Sequence, residues 1–273
     1  MMVVGLRTNS PSMRTQRHLN RTNKSLQGNI AKLSSGFRIN SAADDAAGLA
    51  VSEEMTTDIR SLDQAERNAQ DAVSLIQTAE GAMGETQGIL QRMRELSVQA
   101  NSAGITDAQR THLDQEYQAL RTEIDDIAAD TQYNGNTLLD GAFTGDFQVG
   151  IESTDTVTVD LTATAFDSAT LGLAGDITTQ GNAVTEMAAI DTAIDTMSTE
   201  RAKIGALQNR MDVKTENLSI HRENLDAARG RIKDVDIARE MASMTKNQIL
   251  SQAGTAMLAQ ANSLPQGALQ LLG

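Results

Sequence analysis

The sequence predicts a mainly α protein, in which long helices at both ends of the chain form an antiparallel helical rod or coiled coil, with a small β-hairpin region inserted between them. Three observations predict it. Apolar residues recur at alternating steps of four and three over long stretches, prolines occur only at positions 11 and 265, and period-two alternation is confined to one short central segment. The 273 residues are 40% hydrophobic but only 2% aromatic, so the apolar side chains are aliphatic and suit thin helical seams. Cysteine is absent, which removes disulfide scaffolds, thiolate catalysis and Cys-ligated zinc.

The first helical pattern sets Leu19, Leu26, Ile30 and Leu33 on one side, and Gly36 supplies a stop. Pro11 delays its start. Ser41 to Asp44 then has capping-box spacing, with acid where the dipole of the next helix favours it. Met55, Ile59, Leu62, Ala65, Ala69, Ala72, Ile76, Ala79, Met83, Thr86, Leu90 and Met93 follow as a heptad seam, its alanines admitting a close neighbour. A helix from about residue 41 to 103 is about 90 Å long, so the expected molecule is elongated. Gly104 ends it, and Thr106 with Gln109 forms a second capping box ahead of Leu113, Tyr117, Leu120, Ile124 and Ile127. Tyr133-Asn134-Gly135 marks a turn. Phe147–Ile151 and Val157–Leu161 alternate with period two and predict the hairpin. Helix resumes near Ala183, with a seam through Met187, Ile190, Ile194, Met197, Ile204, Leu207, Met211, Leu218, Leu225, Ala228, Ile232 and Val235. A last amphipathic stretch carries Met241, Ile249, Leu250, Met257, Leu258 and Leu264 to Pro265.

Charge is segregated. Against a formal net charge of −13, residues 1–40 hold Arg7, Arg14, Arg17, Arg21, Lys24, Lys32 and Arg38 and no acid. From Glu123 to Glu200 there are 15 acids and no Lys or Arg, which predicts a hydrated outward face. Without interleaved aromatics the basic segment does not read as a nucleic-acid surface, and no run approaches the ~20 apolar residues of a membrane span. Met1 to Leu6 is too short for the apolar core of a signal peptide, so any export uses another route.

Catalytic and ligand motifs are missing. His18, His112 and His221 belong to no HExxH, and His221 reads as a solvated or seam-edge histidine. Ser243-Met-Thr-Lys246 matches the S-x-x-K of a serine-nucleophile system but the SDN and KTG partner motifs are missing. Asp234, Asp236 and Glu240, taken as helical, do not converge on a cation. Phosphate-binding glycine loops and GxSxG are absent, and the sequons at Asn20, Asn23 and Asn217 lie in helical patterns. No enzyme, cofactor or metal site is expected.

The two ends, residues 1–40 and 241–273, have stripes with too little shared area to stand as a lone helix pair. Many copies side by side would bury them, coupling folding to assembly.

Ala31-Lys-Leu-Ser-Ser-Gly-Phe-Arg-Ile-Asn-Ser-Ala-Ala-Asp-Asp-Ala-Ala-Gly-Leu-Ala50 resembles the signature of bacterial flagellin, the flagellar filament subunit. So do Gln64–Ala72, Ile76–Gly81, Gln91-Arg-Met-Arg-Glu-Leu96, Asn134–Gly141 and Ser263-Leu-Pro-Gln266, in the family's order over roughly 1–140 and 182–273. The opening, Met1 to Pro11, departs from the family's usual start. The resemblance implies a terminal coiled-coil domain (1–40 plus 241–273, disordered in the monomer), a helical rod domain (41–140 plus 182–240) and a β-rich tip (141–181) without large outer domains. It implies self-assembly into an extracellular filament for swimming, with export of the unfolded chain by the flagellar type III apparatus. An export chaperone, a filament cap and a host innate receptor are the further partners implied. Arg92, Leu96 and Glu116 match the family's subunit-packing or receptor-contact positions. The alternatives are the hook–filament junction protein of the same superfamily, a filament-borne peptidase (for which this chain has neither insert nor HExxH) and a soluble coiled-coil adaptor.

Overall fold

A computed structural model describes residues 9–270, with side chains through Ser263; Met1 to Leu6, Arg7 and the side chains of Leu264 and Pro265 lie outside the described set. Five helices and four short strands follow in the order α1 (Ser10–Ser35), α2 (Ala46–Ala100), α3 (Asp107–Asp130), β1 (Gln132–Tyr133), β2 (Asn136–Thr137), β3 (Thr144–Gln148), β4 (Thr156–Asp160), α4 (Gln180–Lys233) and α5 (Ile237–Gln270). The protein is mainly α, with its small antiparallel hairpins between the N- and C-terminal helices. It divides into two compact units. One combines the chain up to Thr57 with the chain from Asn224, and the other spans Asp58–Glu223.

Helix ends follow local chemistry. Asn9 caps α1 by accepting from the Ser12 N–H at 3.1 Å, and Pro11 sits in the first turn, where its missing N–H costs nothing. Gly36 ends α1 at φ 77°, as expected. Ser41 does not start α2: the Asp44 carboxylate closes a turn on the Asn40 and Ser41 N–H groups. Asp45 is the residue that caps, accepting from the Gly48 N–H at 2.9 Å. The capping box at Thr106 and Gln109 is present. Arg110, 7% exposed, donates to the carbonyls of Ala100 at 2.7 Å and Ser102 at 3.0 Å, so a buried guanidinium satisfies the C-terminal end of α2.

The core lies in the Asp58–Glu223 unit. Ten consecutive members of the α2 seam, Leu62 to Met93, are buried, while Met55 and Ile59 are half-buried. Facing them on α4 are Ile190, Ala193, Met197, Ile204, Met211 and Leu218. Arg94 meets Asp191 at 2.5 Å, Arg201 donates to Gln87 at 2.5 Å and Arg222 meets Asp63 at 2.9 Å, so α4 runs antiparallel to α2.

The 123–200 segment is not uniformly an outward acidic face. Glu186 and Glu200 are buried on α4, where Glu186 accepts from the Tyr117 hydroxyl at 2.6 Å and Glu200 pairs with Lys203 at 2.6 Å. Asp125 accepts from the Ser168 N–H at 2.7 Å and clasps α3 to the chain after the hairpin. Asn134 and Gly135, at φ 51° and 82°, make the tight turn between β1 and β2. β3 pairs antiparallel with β4 from Thr144↔Asp160 to Gln148↔Thr156, so Val149 to Ile151 belong to the connection rather than to the strand expected there. Residues 161–179 have no regular structure yet bury Leu161, Phe166, Leu171, Leu173 and Ile177.

In the other unit, α4 stops at Lys233 and α5 begins at Ile237, so Asp234 and Asp236 are not helical as the sequence suggested. Phe37 bridges Asp234 instead: the Arg38 N–H donates to the Lys233 carbonyl at 2.7 Å and the Val235 N–H to the Gly36 carbonyl at 3.0 Å. Lys233 lies 5.2 Å above the Phe37 ring and 2.9 Å from Glu53. Backbone pairing here overrides the helical continuation read from Ile232 and Val235.

Burial, with Glu186 adding to it, pushes the Tyr117 phenol well above its usual value of 10.0. The unfolded chain therefore releases this proton first as pH rises past about 10, and folded stability falls there by about 1.4 kcal/mol per pH unit. Below that pH the proton is bound in both states and contributes no slope. Tyr117→Phe is expected to remove this one-proton slope and to lower neutral-pH stability by about 1–3 kcal/mol, since Glu186 loses its donor. Urea denaturation from neutral to strongly alkaline pH measures both effects.

Candidate functional site

No catalytic constellation assembles among the described residues. Among the described residues no group of three or more His, Asp or Glu is placed to hold a metal ion, and His18, His112 and His221 are all exposed. What distinguishes the molecule is the terminal helix pair and the apolar side chains it leaves uncovered.

α1 and α5 pack antiparallel. Four contacts fix the register: the Asn9 amide donates to the Ala261 carbonyl at 2.9 Å and the Ser12 hydroxyl to Asn262 at 2.7 Å. Likewise the Ser251 hydroxyl donates to Asn23 at 2.9 Å and the Asn247 amide to Asn29 at 3.1 Å. The inward positions step by three and four on both helices. On α1 they are Ser12, Thr15, Leu19, Thr22, Leu26, Asn29 and Leu33. On α5 they are Glu240, Met244, Asn247, Ser251, Gly254, Leu258 and Ala261. This is a coiled-coil seam in which Leu19, Leu26, Leu33, Met244 and Leu258 alternate with small and polar residues.

The larger hydrophobes point elsewhere. Ile30, expected beside Leu26 and Leu33, is 50% exposed, and Asn29 takes its place at the seam. On α5, Met241, Ile249, Leu250 and Met257 are 44–60% exposed, and at 3.6 residues per turn they spread over the side away from α1. Leu258 alone of the described α5 hydrophobes expected from the sequence lies at the seam. Of the 34 buried hydrophobic side chains among the described residues, only Ile39 and Ala261 belong to this unit. Nine of the 14 exposed large hydrophobes do: Met13, Ile30, Phe37, Val51, Ile237, Met241, Ile249, Leu250 and Met257. A helix apolar on both faces is satisfied only when both faces are covered. On α1 three of the four stripe residues read from the sequence, Leu19, Leu26 and Leu33, lie at the seam; on α5 only Leu258 does, because most other inward positions there are polar or small and a search for apolar stripes passes over them.

The three residues singled out in the Gln91–Leu96 motif and on the following helix do not form one surface. Arg92 and Glu116, half-exposed, are brought together across α2 and α3 at 2.8 Å, with Glu95 3.0 Å from the same guanidinium. Hydrogen bonding to Glu116, then to Glu95, holds the guanidinium above its usual value. Leu96 is 1% exposed and packs inside.

The N-terminal helical region of bacterial flagellin matches residues 6–144 and the C-terminal helical region matches residues 187–272. The chain belongs to the bacterial flagellin family. It is 47% identical over 266 residues to a flagellin of Halalkalibacterium halodurans and 43% identical over 298 residues to a flagellin of Bacillus subtilis, in each case covering 97% of this chain and 98% of the relative. A flagellin of Treponema pallidum is 43% identical over the same share of both chains. Among solved structures, the flagellin of Bacillus cereus superposes with a TM-score of 0.51 at 36% identity, covering 56% of this chain and 88% of that one. A putative flagellar hook-associated protein of Vibrio parahaemolyticus gives 0.61 over 70% of this chain and all of that one, at 15% identity, which is a likeness of fold alone.

In this flagellin the seam between α1 and α5 sets register rather than affinity. Asn247→Ala, which strips Asn29 of its donor, is expected to cost about 1 kcal/mol. Asn29→Leu combined with Asn247→Leu is expected to strengthen the pair, since each buried leucine contributes about 1.5–3 kcal/mol. Amide hydrogen exchange across α1 in assembled subunits reads both directions.

Proposed function

We propose that this flagellin is the structural subunit of a bacterial flagellar filament, working by polymerisation rather than catalysis. Copies stack so that the outward faces of α1 and α5 are covered by the same faces of neighbours. The observation that carries the reading is the near absence of buried hydrophobes in the terminal unit beside nine exposed large ones. Each side chain covered on assembly contributes up to about 1.5–3 kcal/mol, enough in sum to oppose the entropy of ordering the segments. On this reading residues 1–40 and 241–273 are disordered in the free subunit, 41–140 and 182–240 form the rod, and 141–181 its tip. The subunit leaves the cell unfolded through the flagellar type III apparatus, handled by an export chaperone and placed under a filament cap, and the extracellular filament drives swimming. Relatives called flagellin that match from end to end support the filament subunit over the junction protein, for which the likeness is one of fold.

Arg92 and Glu116 form a surface ion pair suited to subunit packing and, in a host with a flagellin-sensing receptor, to recognition, with Leu96 holding α2 in place behind them.

Purified subunits added to filament seeds are expected to elongate them. Ile249→Asp and Met257→Asp are expected to abolish elongation, each placing a charge where an apolar neighbour must dock, while the thermal transition of the Asp58–Glu223 unit stays where it is. Elongation at the wild-type rate by both variants would remove the outward face of α5 from the interface.

A further inference from the structure

Arg14, Arg17, His18 and Arg21 stand on successive turns of α1, at spacings of three, four and seven, where helical side chains are neighbours. All four are exposed, and together they line a surface hollow of about 270 Å³. None of them makes an ion pair among the described residues. Residues 9–43 contain no acid, and neither do residues 241–263. The register fixed by Ser12 and Asn23 sets this part of α1 against α5 near residues 253–260, which carry no charge at all. The cluster therefore has no counter-charge opposite it on α5, whose one described acid, Glu240, lies at the far end of the helix pair. Like charges at these spacings also oppose the helix that carries them.

We infer that the Arg14, Arg17, His18 and Arg21 face of α1 is a binding site for a tetrahedral oxyanion of the phosphate class. Guanidinium groups present planar forks that pair with phosphate oxygens two at a time, and one dianion accepts from several of them at once. A carboxylate carries a single charge and leaves most of the cluster unneutralised. Bound across two turns, the anion ties Arg14, Arg17 and Arg21 to one centre and replaces their mutual repulsion with attraction, so occupancy and helix order in α1 rise together. Free phosphate and the phosphate of a lipid headgroup share this chemistry. The binding goes beyond the filament reading and requires no polymer.

The test uses the full-length monomer at fixed ionic strength. Inorganic phosphate is titrated while binding heat and far-ultraviolet circular dichroism are recorded, and sedimentation onto phosphatidylglycerol vesicles is compared with phosphatidylcholine vesicles. Saturable binding of either probe with a gain in helix, weakened at least tenfold in the Arg17→Gln, Arg21→Gln double variant, is the expected result. Whichever probe binds identifies the source of the phosphate. An Arg17→Lys, Arg21→Lys variant keeps the charge but loses the fork, and is expected to fall between the two. Equal responses from wild type and the glutamine variant, no saturable response to either probe, or a response confined to concentrations at which copies associate, would each overturn the site. Seeded elongation by the glutamine variant is measured separately, so loss of the oxyanion site and failure of the filament reading are told apart.

Discussion

The contact between α1 and α5 alternates Leu19, Leu26, Leu33, Met244 and Leu258 with small and polar side chains, and of its fourteen inward positions only Asn29 and Ala261 are buried. Asn, Ser, Thr and Gly occupy positions where a self-sufficient coiled coil carries Leu and Ile. A buried Asn pair specifies alignment at a cost in stability, and four such polar contacts make alignment the main thing this seam supplies. In the proposed filament, cohesion between copies rests on the exposed Met241, Ile249, Leu250 and Met257, outside that seam. Register within one chain and cohesion between chains are thus assigned to different faces of the same helix.

The Asp58–Glu223 unit is organised the other way. Its α2 seam is rich in buried alanine, which lets α4 approach closely, and the larger Leu62, Ile76, Met83, Leu90 and Met93 interdigitate between them. Where the helices meet a polar requirement, a side chain meets it: Arg110 donates to the Ala100 carbonyl at the end of α2 and to that of Ser102 just beyond, and Tyr117 donates to the carboxylate of Glu186. Such a unit keeps its order without help, so folding of this part and assembly of the terminal part are separable.

This division explains what the sequence disclosed. The seam from Leu62 to Met93 was legible because burial there is strong enough for apolar periodicity to mark every contact. The same rule failed on α5, where the large hydrophobes point away from α1 and the inward positions look polar. It also placed Ile30 in an interface that Asn29 occupies. Glu186 and Glu200 were read as solvated because composition records charge but not burial, nor the Tyr117 hydroxyl that reaches Glu186 from α3 or the Lys203 ammonium one turn on from Glu200. The break at 234–236 depends on pairing with residues 36–38, almost two hundred positions earlier, which no local window contains. Residues 161–179 bury their apolar side chains without period, so pattern reading sees a loop where there is core. Of the site residues, Arg92 and Glu116 were found by motif and do meet. The basic cluster of α1 was visible as charge, but its isolation from any acid needed the register of α5.

Charge and apolar surface are arranged to the same end. The chain as a whole is strongly acidic, which keeps free copies apart, yet its terminal helix pair carries the cations of α1 and almost no carboxylate. Net repulsion between whole molecules and local apolar attraction between their ends act over different distances, the first screened within about 10 Å at ordinary salt and the second only at contact. In the proposed filament an encounter is productive only where the terminal faces meet in register, and the contacts between α1 and α5 hold those faces in a fixed orientation once the segments have ordered. A subunit that hid Ile249 and Met257 against its own α1 would be more stable alone and would have less apolar surface to offer a neighbour.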